Sequence, residues 1–143
     1  MTSSEERLRE ARELAELLVR VAEESKAVFA RTAGEIGLPA HLARAVASLD
    51  GPMPMRELAD RLACDRSNIT GIADQLEQRG LAERTPGRDR RVKLLQLTPA
   101  GRRLRADIAD RVSNSALVLQ RLDDAQRAQL RPLLQALLGE QRT

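Results

Sequence analysis

The 143-residue chain holds a single aromatic side chain, Phe29, and neither Trp nor Tyr. Platforms that stack the exposed bases of single-stranded nucleic acid rest on several aromatic rings, so the composition argues against that class. One cysteine, Cys64, excludes an internal disulfide, and with one histidine, His41, a His/Cys zinc site lacks its ligands. No apolar run approaches the ~18 residues of a membrane span, and the opening "MTSSEERLRE" lacks the apolar centre of a signal peptide. A cytoplasmic protein without membrane association is therefore expected. Paired nucleophile and base, metal cluster and glycine-rich phosphate loop are all missing, so neither an enzyme nor a bound cofactor or metal is expected.

What the chain does have is a globular balance, 42% apolar and 31% charged, and a length suited to one domain over residues 1–143. Its charge is unevenly placed. Between Arg84 and Arg105 stand eight basic residues against Asp89 alone, a local +7 in a chain whose net charge is only +3. Location thus matters more than total, and a concentrated basic stretch points to an anionic partner.

Apolar periodicity predicts a long amphipathic helix from about Ser4 to Ala33, with Leu14, Leu17, Leu18, Val21, Ala22, Val28 and Phe29 along it. "GEIGLP" ends it, and a second helix is expected from Pro39 to Leu49, followed by "DGPMP", which leaves room only for a short extended piece at Met53. Two short helical patterns then meet at "ACD", and "LAERT" and "VKLLQLT" read as strands joined by "PGRDRR". Thr98-Pro99 is a helix start, and that helix is expected to run to about Leu122 through Leu104, Ile108, Val112 and Leu119. A last helix should begin near Asp123 or Asp124, carry Leu130, Leu133, Leu134, Leu137 and Leu138, and end near Gly139, with Pro132 kinking it or starting a new helix. The fold class is mainly α with a small β-hairpin. The first helix and the final two carry more apolar surface than one small domain can easily cover, which implies a partner chain.

The segment from Met55 onward satisfies the spacing of a helix-turn-helix. Two helices crossing steeply need a small residue at their approach, an apolar residue in the turn and inward apolar residues from both sides. Ala59 is the small residue, Leu62 points inward, Ala63 occupies the tight turn, Cys64 fills its apolar place as a structural side chain, and Ile69 and Ile72 face in from the second helix. Asp65 is the expected cap of that helix, whose stripe Ile69, Ile72, Ala73 and Leu76 leaves Arg66, Ser67, Asn68, Thr70, Gly71, Asp74, Gln75 and Gln78 outside; of these Arg66, Ser67, Asn68, Thr70, Gly71 and Gln75 are the expected DNA-reading residues. Short hydrogen-bonding side chains and a glycine let a helix lie close in the major groove, where Asn and Gln suit adenine and Arg suits guanine or phosphate.

A hairpin directly after a helix-turn-helix is a wing. Pro86 and Gly87 turn the chain, and Arg88, Arg90, Arg91 and Lys93 supply its positive charge. A weakly hydrated guanidinium suits the strong negative potential of a narrow minor groove. Asp89 is the exception, and we expect it to pair with a wing arginine and shape the loop.

The run "RSNITGIADQLEQRGLAER", the wing "DRR" and the following "LQLTPAG" resemble the MarR family of bacterial transcription regulators. Asp89 and Arg91 match the family's Asp-x-Arg wing pattern, and "LTPAG" matches its strand-to-helix exit. The resemblance, over residues 38–101, implies a winged helix-turn-helix lobe that binds double-stranded DNA. It also implies a helical dimerisation lobe from residues 4–33 and 99–139, a homodimer on a palindromic operator, and a small-molecule or redox signal sensed between the lobes. His41, on the second helix, would lie near that crevice. The competing function is a winged-helix module that binds protein and not DNA; it calls for a less basic wing or an apolar recognition face.

Overall fold

The computed structural model describes residues 3–114 and 118–140. The helices are α1 (Ser4–Glu35), α2 (Ala40–Ser48), α3 (Met55–Arg61), α4 (Arg66–Gln78), α5 (Pro99–Asn114) and α6 (Asp124–Leu137), and the strands are β1 (Met53–Pro54), β2 (Ala82–Pro86) and β3 (Lys93–Leu97). The chain divides into two compact units, Lys26–Asn114 on the one hand and Met1–Ser25 with Ser115–Thr143 on the other.

The first unit is built around aliphatic side chains from every one of its layers. Leu42 and Val46 of α2, Leu58 of α3, Leu76 of α4, Leu95 of β3 and Ile108 of α5 are fully buried, together with Leu49 after α2. Each such leucine contributes on the order of 2 kcal/mol by leaving water. In α4 the buried set is Ile69, Ile72, Ala73 and Leu76, the three- and four-residue spacing that turns one face inward.

The hairpin expected from the two apolar runs is present, and it gains a third strand. The sheet order is β1-β3-β2, all antiparallel, with Met53 opposite Leu95 and Arg84 opposite the same residue on the other side. The prolines at 52 and 54 keep β1 to two residues, because proline donates no ladder hydrogen bond.

Helix ends are set by local chemistry. The Thr98 hydroxyl accepts from the Gly101 N–H at 3.1 Å and donates to the Gly80 carbonyl at 2.6 Å, while the Thr98 N–H donates to the Leu81 carbonyl at 3.0 Å. The start of α5 is thereby bolted to the chain leaving α4. A Cβ on Gly101 would stand 2.0 Å from the Leu81 carbonyl oxygen, so only glycine permits this approach. Asp65 occupies the N-cap position of α4, but its side chain caps nothing; its main-chain carbonyl accepts from the Asn68 and Ile69 N–H groups instead.

In the second unit α6 starts with a full capping box, Asp123 and Gln126 each accepting the other's main-chain N–H. The expected helix from Pro99 to about Leu122 does not persist at its far end, where Val118–Arg121 form a 3₁₀ turn; residues 115–117 lie outside the described residues. The Arg127 guanidinium donates to the carbonyls of Leu119 and Leu122, satisfying acceptors at the end of that turn. No new helix begins at Pro132. The helix runs through it, since proline removes one N–H from the ladder and both Ala128 and Pro132 face solvent. No described side chain of this unit is buried, and Leu14, Leu17, Leu18, Val21, Leu133, Leu134, Leu137 and Leu138 are all exposed.

Candidate nucleic-acid interface

With the apolar stripe of α4 turned inward, its outer side follows from 100° per residue. Ser67, Gly71, Asp74 and Gln78 stand opposite the core, with Arg66 and Thr70 on one flank and Asn68 and Gln75 on the other. Arg66, Ser67, Asn68, Thr70 and Gln75 are exposed, and nothing lies within 4 Å of where a Gly71 Cβ would be. The helix therefore offers a polar face with small side chains at its centre.

The wing tip is closed by main-chain bonds. The Gly87 N–H donates to the Val92 carbonyl and the Val92 N–H to the Asp89 carbonyl, both at 2.9 Å. The Asp89 carboxylate accepts from the Arg91 main-chain N–H at 3.0 Å. The expected pairing of Asp89 with a wing guanidinium is corrected by this bond. A carboxylate reaches the N–H two residues on without ordering a long side chain, which is the ordinary Asx turn. The consequence is that the cationic side chains stay free: among the described residues Arg88, Arg90, Arg91 and Lys93 are exposed and none has an acidic partner.

Between the start of α4 and the hairpin lies a cleft of about 560 Å³ lined by Met55, Arg56, Arg66, Ile69, Thr70, Arg84 and Lys93. Four cations and no carboxylate line it. Arg56 was not legible as a site residue, because it is ten positions before Arg66 and joins it only when α3 folds against α4.

Not all of the basic cluster is available. Arg84 donates to Asp74 Oδ1 and Glu77 Oε2, each at 2.6 Å, and its own N–H donates to Glu77 Oε1 at 3.0 Å. The Asp74 hydrogen bond chiefly, with help from the charge of Glu77, raises its pKa further above an already high value, so it is charged at any working pH. Arg102 donates to the Leu97 carbonyl and Arg105 to the Ala47 carbonyl. These three arginines hold the fold, and the free positive charge is concentrated at the wing and cleft.

His41 on α2 faces α4, its Nε2 3.2 Å from Gln75 Oε1. It does not line the apolar pocket of this unit, a space of about 190 Å³ bounded by Phe29, Ala47, Arg105, Ile108, Ala109 and Val112. Cys64 is half-buried and packs against the core. Among the described residues no cluster of His, Cys, Asp or Glu could hold a metal, and no helix is long and apolar enough to cross a membrane.

Comparison with known proteins meets this geometry. Residues 48–93 match the model of the MarR family. A crystal structure of a MarR-family transcriptional regulator from Rhodococcus sp. RHA1 superposes with a TM-score of 0.77 at 28% identity, covering 93% of this chain and 97% of that one. CouR from Rhodococcus jostii RHA1, solved bound to p-coumaroyl-CoA, gives 0.76 at 28% identity, covering 91% and 94%. A probable transcriptional regulator from Pseudomonas aeruginosa gives 0.65 at 30% identity, covering 86% and 95%. The search of curated proteins gave no match. With its winged-helix architecture, this chain belongs to the MarR family of transcription regulators.

Proposed function

We propose that two copies of this chain bind double-stranded DNA sequence-specifically and repress transcription by covering the site. The observation that carries this reading is the juxtaposition of four unpaired wing cations, Arg88, Arg90, Arg91 and Lys93, with a polar, small-residue helix face. Residues Arg66, Ser67, Asn68, Thr70, Gly71 and Gln75 inspect base edges in the major groove, and the wing enters the neighbouring minor groove or grips phosphate. Arg56, Arg66 and Lys93 line a cleft whose charge suits the intervening phosphodiester.

The homodimer is supported by the exposed leucines of α1 and α6, each of which gains on the order of 1 kcal/mol by entering an interface. Twofold symmetry then sets two recognition helices about 34–36 Å apart and requires a roughly palindromic operator. A small effector is also part of this reading, in keeping with a relative solved with p-coumaroyl-CoA. The apolar pocket beside Arg105 is its candidate seat, offering aliphatic walls, one aromatic ring and one cation.

Selection of bound sites from random duplexes at near-physiological salt tests the reading. Enrichment of an inverted repeat with half-sites one helical turn apart is the expected result. Recovery of no enriched sequence would remove specific recognition.

A further inference from the structure

Asp74 stands on the outward side of α4, where a duplex would approach, and Glu77 on its flank toward the hairpin; carboxylates so placed repel phosphate. Both are taken by one residue. Arg84 bridges Asp74 and Glu77, its main-chain N–H adds a bond to Glu77, and a guanidinium N–H lies 3.4 Å from the Thr70 carbonyl. Its side chain is only 22% exposed, against 54% and 35% for the two acids, so the acids fence it from outside.

The position matters as much as the pairing. Arg84 sits in the middle of β2, opposite Leu95, and the strand runs only to Pro86 before the cationic tip. A strand advances about 3.3 Å per residue, so a tilt at Arg84 is magnified at Arg88 to Arg91. Single exposed ion pairs stabilise little, but a guanidinium fixed by two acids and a main-chain bond has a defined direction.

We propose that Arg84 is a positioning residue for DNA recognition: held by Asp74 and Glu77, it sets the angle between wing and recognition helix and is itself withheld from phosphate. This goes beyond the DNA-binding reading but rests on it. It makes the two acids serve binding, although their charge opposes it.

The decisive variant is Asp74→Asn/Glu77→Gln, which removes one negative charge from the outward side of α4 and one from its flank. Charge alone would then strengthen binding to every duplex. The clamp requires the opposite for the operator, a loss of about fivefold or more, with no loss on a duplex of unrelated sequence. Amide hydrogen exchange supplies a readout without DNA: residues 82–97 should exchange faster, with the α2 and α5 amides unchanged, which also shows that the variant folds. Arg84→Ala should weaken operator binding while leaving the slope of log affinity against log salt as in the wild type; a slope reduced by about 0.9 would mark a phosphate contact and overturn the proposal. Equal or tighter operator binding by the double variant, or unchanged exchange in the hairpin, also overturns it. A wild-type chain that binds no duplex overturns the DNA-binding reading itself, an outcome separate from any difference between wild type and variant.

Discussion

Ala63 holds a backbone φ of +50°, in the left-handed region where a Cβ crowds the following carbonyl. It ends α3 in a Schellman arrangement, the Cys64 N–H donating to the Ala59 carbonyl and the Ala63 N–H to that of Asp60. The end of α4 has the same pattern with Gly80 at the corresponding place. Ala63→Gly should therefore raise stability by roughly 0.5–1 kcal/mol, the relieved crowding exceeding glycine's greater unfolded-state entropy. Urea unfolding at matched chain concentration measures it; a lower midpoint than wild type would contradict the assignment of strain. Gly101 is the reverse case. Gly101→Ala forces a methyl group into the Leu81 carbonyl and should cost about 3 kcal/mol or more, read in the same unfolding experiment. Residue spacing put Ala63 in the turn and "LTPAG" at the helix start, because both are local patterns. The reason for Gly101 was hidden, since its obstacle lies twenty positions earlier.

At the scale of elements, α4 and its hairpin were the most legible, for the inward stripe and the strand pattern need nothing beyond neighbouring residues. Three features were not. The short extended piece at Met53 was readable, but its pairing with β3 as the strand β1 is a tertiary event. Arg84 read as part of the basic cluster, yet its partners lie seven and ten positions before it on another element. The partner of Asp89 was sought among side chains and found on the main chain. The wing's free charge leads to a quantitative expectation. Arg90→Ala should weaken operator binding about tenfold and reduce the salt slope by about 0.9, with the dimer intact. Fluorescence anisotropy over a salt series reads both, and unchanged affinity would take the tip out of the interface. Asn68→Ala should change base preference at one position per half-site in a repeat selection, whereas an identical profile would assign Asn68 no reading role.

For the molecule as a whole, the terminal helices were readable as carrying more apolar surface than one small domain can cover. Periodicity marked Leu14, Leu17, Leu133 and Leu134 as apolar faces, and their excess implied exposure on a single chain. The structure leaves all four exposed. Leu17→Glu/Leu134→Glu should give a monomer by sedimentation with helix content retained, and an unchanged sedimentation coefficient would put the interface elsewhere. Two copies bring eight unpaired wing cations to one duplex. The most direct measurement is a titration of the selected operator duplex with the chain across a salt series. Two chains per duplex are expected, with log affinity falling linearly against log salt at a slope of magnitude about 4 to 7. One chain per duplex, or an affinity indifferent to salt, would contradict the account.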